Sequence, residues 1–166
     1  QKEIETKIYL IVKKLYESGE IGKAYKLIKE IKNKNSNKEH QDYFTLIELN
    51  YLLSTFQLSE VCDLKSSLIE KNILLPLFLL EKTDVFCLTL ENKLSEAKLL
   101  NSLIVESENQ IDDNFQKLFN FMVSEEKEIN KFEFKSSVEF KELIFLYSAM
   151  LRINELPLDE KFIEID

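Results

Sequence analysis

The stretch Gly19-Glu20-Ile21-Gly22-Lys23-Ala24 decides the fold, because related stretches return at Phe56-Gln57-Leu58-Ser59-Glu60-Val61 and at Asn92-Lys93-Leu94-Ser95-Glu96-Ala97. The offsets between them are 37 and 36 residues. Apolar residues stand in register on both sides: upstream Leu15, Leu52 and Leu88, downstream Leu27, Leu64 and Leu100. A shared period in the mid-thirties predicts stacked helix pairs, each with one apolar face that a neighbour must cover.

Helical periodicity surrounds these stretches. One face of a helix predicted over about 3–17 carries Ile4, Ile8, Ile11, Val12 and Leu15. Gly19 suits the left-handed C-terminal cap of this helix. Two helices joined by so short a turn lie antiparallel, as a hairpin. We predict an all-α single domain over 1–166, with about eight helices in hairpins at about 3–33, 39–71, 77–107 and 111–152, then a tail at 153–166.

The helix boundaries follow from turn signals. The polar run 33–38 predicts a loop, so the third helix is expected at about 43–54 and its partner at 59–71. Later helices are expected at about 77–91, 94–107, 111–124 and 136–152. The charged stretch 124–135 lacks a clean period and is interpreted as a loop.

Composition and charge exclude several function classes. With Gly19 and Gly22 the only glycines, no glycine-rich phosphate loop can form. The net charge of −8 argues against nucleic acid as a partner, although residues 1–38 carry ten Lys against five Glu. In that region, Lys23, Lys26, Lys29 and Lys32 form a basic stripe, which is interpreted either as a solvated helix face or as an anchor for an acidic partner.

Few features of the sequence point to a membrane span or to a disulfide framework. No apolar run reaches the roughly 18 to 20 residues that span a bilayer. The two cysteines, Cys62 and Cys87, are interpreted as small core residues, and a single bridge between them stays open. The chain begins with Gln1 rather than Met, which leaves a processed product or a piece of a longer protein open, with either a cytoplasmic or an exported location.

The sequence contains few candidate catalytic or metal-binding residues. The lone His40 lies in the most polar region, where a solvated or helix-capping role is expected. The acidic pair Asp112-Asp113 fits the positive start of a helix better than a metal site. We therefore predict no catalytic residue, no metal site and no cofactor. Phe132 and Phe134 flank an acid within an irregular stretch and are interpreted as core or as a docking segment.

The hairpins resemble a degenerate tetratricopeptide-type repeat over about residues 4–107. The likeness is carried by Gly19, Ala24, Leu15-Tyr16 and the apolar residues Ile8 and Ile11. Departures include Val12 at the small position of the first helix, together with Phe56 and Asn92 in place of the turn glycine. The resemblance implies a right-handed α-solenoid.

The resemblance also implies a concave groove lined by the first helix of each pair. Its expected partner-binding residues are Tyr9, Lys13, Tyr16, Tyr43, Asn50, Lys82 and Phe86. Aromatic rings beside Lys and Asn suit an extended peptide with an acidic group. A flat scaffold surface covered by a partner protein is the alternative.

A second likeness concerns the later half of the chain. The strings Val85-Phe86-Cys87-Leu88 and Asn154-Glu155-Leu156-Pro157 look like those of uncharacterised, usually exported bacterial helical-repeat proteins. Together these features favour a non-catalytic interaction or scaffold module with a protein or peptide partner, within a larger assembly or alone. A self-associating filament or envelope subunit is the alternative, and an enzyme without a recognisable motif is the third.

Overall fold

The computed structural model describes residues 2–31, 37–68, 71–108, 111–124, 132–135 and 140–157. Within these ranges the chain forms eight α-helices and no strand. The helices are α1 (Lys2–Glu17), α2 (Ile21–Ile31), α3 (Lys38–Ser54), α4 (Leu58–Ser67), α5 (Leu77–Leu90), α6 (Leu94–Ser107), α7 (Asp113–Val123) and α8 (Phe140–Ile153).

The chain divides into two compact units, residues 1–75 and 76–166. The boundary falls in the connection predicted between the second and third hairpins. The expectation of one domain over 1–166 stays a prediction. No described helix is both long enough and apolar enough to cross a membrane.

In the first unit, consecutive helices pack in order: α2 against α1 and α3, and α4 against α3. A core cluster joins the first three helices, with Val12 from α1, Ala24 and Ile28 from α2, and Phe44 and Ile47 from α3. All five side chains are fully buried. The small Ala24 leaves room for the bulky residues of α3, so α2 and α3 can approach closely.

In the second unit, α5 contacts α6, α7 and α8, and α7 packs against α8. The inward face of α8 is fully buried over Leu143, Leu146, Tyr147 and Met150. A reciprocal pair of amide hydrogen bonds joins α6 to α7, with Asn101 Nδ2 at 2.7 Å from Gln116 Oε1 and Gln116 Nε2 at 2.9 Å from Asn101 Oδ1.

The three turns that the sequence alignment places in register share one geometry. Gly19, Phe56 and Asn92 have φ values of 78°, 61° and 60°, in the left-handed region. The N–H of the next residue donates back to the carbonyl of the aligned leucine, Leu15, Leu52 or Leu88, at 2.9 Å in each case. This is the Schellman motif, which caps the free carbonyls at a helix C-terminus.

Glu155, with φ 56°, ends α8 in the same way, since Leu156 N–H donates to the Leu151 carbonyl at 3.0 Å. The break predicted at Pro157 therefore begins two residues earlier, as a helix cap.

Several boundaries differ from expectation. The third helix begins at Lys38 rather than near Tyr43, because the Asn37 side chain accepts a hydrogen bond from the His40 N–H and so caps the helix five residues earlier. The second helix of that hairpin ends at Ser67 rather than Lys71. Residues 33–36 of the loop predicted at 33–38, Lys32 of the basic stripe, the Ser136 and Ser137 caps, and the tail beyond Pro157 lie outside the described residues.

Candidate functional site

Four of the seven predicted groove residues form one cluster on α1 and α3, which we call the α1–α3 cluster: Tyr9, Tyr16, Tyr43 and Asn50. Tyr9 and Tyr16 are seven residues apart on α1, as are Tyr43 and Asn50 on α3, so each pair lies on one face of its helix. The Tyr43 ring meets Tyr9 edge-on at 5.4 Å and Tyr16 at 6.2 Å between ring centroids. All three tyrosines are half-buried, so part of each residue remains accessible.

Asn50 forms the polar end of the α1–α3 cluster. Its Nδ2 donates to the Tyr16 hydroxyl at 2.7 Å, and the residue is only 3% exposed. Its Oδ1 is buried and accepts no hydrogen bond from any described residue. A buried carbonyl without a donor costs free energy, about 1–3 kcal/mol.

The Tyr43 hydroxyl is held in its neutral form. Burial, assisted by the negative charge of Glu17, raises the pKa of Tyr43 to about 12. At physiological pH the cluster therefore presents a phenol that can donate a hydrogen bond, for example to a carboxylate.

Lys13 lies on the same helix as Tyr9 and Tyr16 and is half-buried. Its Nζ is 3.8 Å from Glu17 Oε1, a long ion pair between two partly exposed side chains that a stronger anion could replace. Of the basic stripe on α2, Lys23, Lys26 and Lys29 are exposed, and Lys23 pairs with Glu20 at 2.9 Å.

His40 corrects the first of its two expected roles, that of a solvated side chain. It is 8% exposed, and its ring stacks on Tyr9 at 4.2 Å with an interplanar angle of 9°. It does lie in the capped first turn of α3, where its main-chain N–H donates to the Asn37 side chain. The sequence placed it in a loop because the run before it is polar. The missed signal was Asn37, three residues before His40, which is the residue type that begins a helix.

Lys82 and Phe86 correct a second expectation, because neither side chain faces an open groove. Both lie on α5 in the second unit and are fully buried. The physical reason is a pair of nearby carboxylates. Lys82 Nζ lies 2.7 Å from Glu108 Oε1 and 3.1 Å from Asp112 Oδ2, and these groups supply the negative charge that a buried ammonium requires.

The ion pairs around Lys82 extend into a buried network across the second unit. The Tyr147 hydroxyl donates to Asp112 Oδ2 at 2.5 Å, and Asp112 Oδ1 accepts the Phe115 N–H that begins α7. Desolvation lowers the pKa of Lys82, but the hydrogen bond to Glu108 and the charge of Asp112 outweigh it, so the pKa lies above its usual value. Asp112 is thus a helix cap, as predicted, and also an ion-pair partner, which the sequence did not indicate.

A separate depression of about 450 Å³ lies between α2, α3 and α4 in the first unit. Its charged lining is mixed, with Lys29 and Lys71 beside Glu48, Glu60 and Asp63. The stacked pair Tyr25 and Tyr51, 3.9 Å apart, packs α2 against α3 beside it.

Neither cysteine is a free thiol. Cys87 is buried at 4% exposure and Cys62 is half-buried. Among the described residues, no three His, Cys, Asp or Glu side chains gather in a way that could hold a metal ion. Comparison with protein-family models, with curated proteins and with solved structures gives no match to this chain.

Proposed function

We propose that the chain is a non-catalytic protein-interaction module, a right-handed α-solenoid of tetratricopeptide-like hairpins that binds a partner through its α1–α3 cluster. The observation that carries the proposal is the cluster of three half-buried tyrosines beside Asn50, whose buried Oδ1 accepts no hydrogen bond from any described residue. The solenoid part is supported by the identical caps at Gly19, Phe56 and Asn92 and by the consecutive packing of α1 to α4.

The ligand we propose is an extended peptide that carries an acidic group. Tyrosine rings offer a large contact area at low entropic cost, and Asn50 holds the Tyr16 ring in place through its hydrogen bond to the hydroxyl. The acidic group would lie against Lys13, with the Tyr43 phenol as a second donor. The excess of Lys over Glu in residues 1–38 supports an acidic ligand, because this positive charge attracts anionic partners to the first hairpin.

A random peptide display library, selected against the immobilised full chain, tests this proposal. The selected peptides are expected to be acidic, and binding measured by fluorescence anisotropy is expected to weaken at least about tenfold for Lys13→Glu, since a repulsive charge costs about 1.4 kcal/mol or more. Lys98→Glu, an exposed position on α6, is the matched control and should bind like the wild type.

Two results would count against the proposal. One is a library that yields no enriched sequence against a folded protein. The other is a set of peptides whose affinity is unchanged by both Lys13→Glu and Tyr16→Phe, the change that removes the hydroxyl bonded to Asn50.

The second candidate function is a self-associating structural subunit. Apolar residues that are more than half exposed favour it: Ile4, Leu10 and Ile11 on α1, and Leu99 and Leu103 on α6. This alternative predicts large regular assemblies by light scattering, dispersed by Leu99→Lys with Leu103→Lys. A protein that stays monomeric at high concentration would favour the interaction module instead.

A further inference from the structure

A short segment of the second unit lies against α7 and α8 in the manner of a bound peptide. This docked segment is Phe132-Glu133-Phe134-Lys135. Phe132 and Phe134 are 5% and 2% exposed, whereas Glu133 and Lys135 are exposed. Alternation with a period of two is the pattern of an extended chain with one face buried.

The main chain of the docked segment is held by one side chain. Asn114 Nδ2, on α7, donates to the Lys135 carbonyl at 2.7 Å, and the Lys135 N–H donates to Asn114 Oδ1 at 2.8 Å. Asn114 is itself 2% exposed, so its amide is fixed in place. Both bonds engage the backbone of one residue and therefore hold an extended chain whatever side chain that residue carries, as a neighbouring strand would.

The side chains of the docked segment supply the selectivity. The Phe132 ring lies 4.6 Å from Phe134 and 6.4 Å from Phe121 of α7, and Phe134 lies 5.7 Å from Tyr147 of α8. At the segment's end, Lys135 Nζ lies 2.5 Å from Asp113 Oδ2. The hydrogen bond and charge of Lys135 lower the pKa of Asp113, so the carboxylate is ionised and matches a cation.

We infer that the α7–α8 surface is a binding site for an extended Phe-x-Phe-Lys peptide, and that the chain fills this site with its own docked segment. The contacts that recognise the segment are a main-chain clamp, adjacent aromatic positions and one carboxylate, and none depends on the covalent connection. A partner protein that exposes the same sequence pattern would make the same contacts. The docked segment belongs to the same chain as its site, so its binding is intramolecular and a free peptide must compete with it.

This site shares no residue with the α1–α3 cluster, and its ligand is basic rather than acidic. The two proposals can therefore fail independently of each other.

The test uses the full chain with Phe132→Ser and Phe134→Ser, which removes the anchors of the docked segment. The probe is a fluorescent peptide with the sequence of residues 130–137. It is expected to bind this variant at micromolar concentration and to bind the wild type at least about tenfold more weakly, because the wild-type site is occupied.

The controls separate recognition from nonspecific adhesion. A peptide with serine in place of both phenylalanines should not bind, and Asn114→Ala, added to the variant, should abolish binding of the original peptide. If a variant that is folded by circular dichroism does not bind, or binds both peptides equally, the inference is wrong.

A second measurement covers the case in which the substituted chain does not fold. Here the wild type is exposed to millimolar peptide that carries benzoylphenylalanine at the place of Phe134. Cross-links are expected on α7 and α8, around Phe121 and Tyr147, and excess unlabelled peptide should suppress them. Scattered cross-links, or cross-links that the competitor leaves unchanged, would overturn the inference.

Discussion

At the scale of single residues, Tyr43 provides a titration that reports on the α1–α3 cluster. Burial and the nearby Glu17 raise its pKa from 10.0 to about 12. The unfolded chain loses this proton at lower pH than the folded one does, so the contribution of Tyr43 to stability is complete below pH 10.0 and is lost as the pH rises toward about 12.

We expect a phenolate absorbance titration of the native protein to contain a component near pH 12 whose amplitude falls by one tyrosine in Tyr43→Phe. Tyr51→Phe is the control and should leave that amplitude unchanged. If the amplitude near pH 12 is the same in Tyr43→Phe as in the wild type, the assignment to this phenol is wrong.

Among the charged side chains of the second unit, Lys82 is the one whose removal should destabilise the unit most. Lys82→Met keeps the length of the side chain but leaves Glu108 and the buried Asp112 without their cation. Breaking a buried ion pair by removing one partner costs about 3–5 kcal/mol. Urea unfolding should show a loss of this size, whereas the exposed Lys98→Met on α6 should unfold like the wild type.

The sign of the pH dependence follows from the raised pKa of Lys82. The stabilising charge is present below the unfolded value of 10.5 and is lost as the pH rises through the higher folded value. The difference in stability between the wild type and Lys82→Met should therefore shrink only in strong alkali. A difference that vanished already at neutral pH would contradict the ion-pair account.

At the scale of secondary-structure elements, substitutions at the left-handed turn residues test the common cap geometry. Gly19, at φ 78°, has open space where a Cβ would stand, so Gly19→Ala should cost only the backbone strain, about 1 kcal/mol. Glu155 is an exposed residue at φ 56°, and Glu155→Gly should relieve a similar strain and raise the melting temperature.

Gly22→Ala is the matched control for these turn variants. Gly22 lies inside α2, and its Cβ would meet only Tyr51 Cε2 at an ordinary 3.9 Å. Alanine should stabilise the helix there by about 0.5–1 kcal/mol. If Gly19→Ala and Gly22→Ala changed the melting temperature in the same direction, the assignment of a left-handed cap to Gly19 would be wrong.

The helices were predictable from sequence because their signals are local. Leucine spacing and the turn stretches set α5 at Leu77–Leu90 and α6 at Leu94–Ser107, within a residue of expectation. The site residues were less predictable because their surroundings are distant. The resemblance to tetratricopeptide repeats implied that Lys82 faces a groove. Its carboxylate partners, Glu108 and Asp112, come 26 and 30 residues later in the chain, and no local sequence pattern indicates them.

At the scale of the whole molecule, the division at residues 75 and 76 predicts that the first unit can fold alone. Its core cluster is drawn entirely from α1, α2 and α3, and its helices pack in chain order. Contacts between neighbours in sequence close short loops, which costs little entropy. A chain of this size buries a smaller fraction of its surface than a larger domain does, so its stability should be modest.

We therefore expect residues 1–75, produced under reducing conditions so that Cys62 stays a thiol, to be helical and to unfold in one cooperative transition below the melting temperature of the full chain. Circular dichroism with thermal and urea unfolding measures this. Ile28→Ala, at a fully buried core position, should remove about 2–5 kcal/mol and unfold the fragment, whereas the exposed Lys26→Ala should not. A fragment without cooperative unfolding would mean that the core cluster of α1 to α3 is insufficient by itself, and that stability is a property of the longer chain.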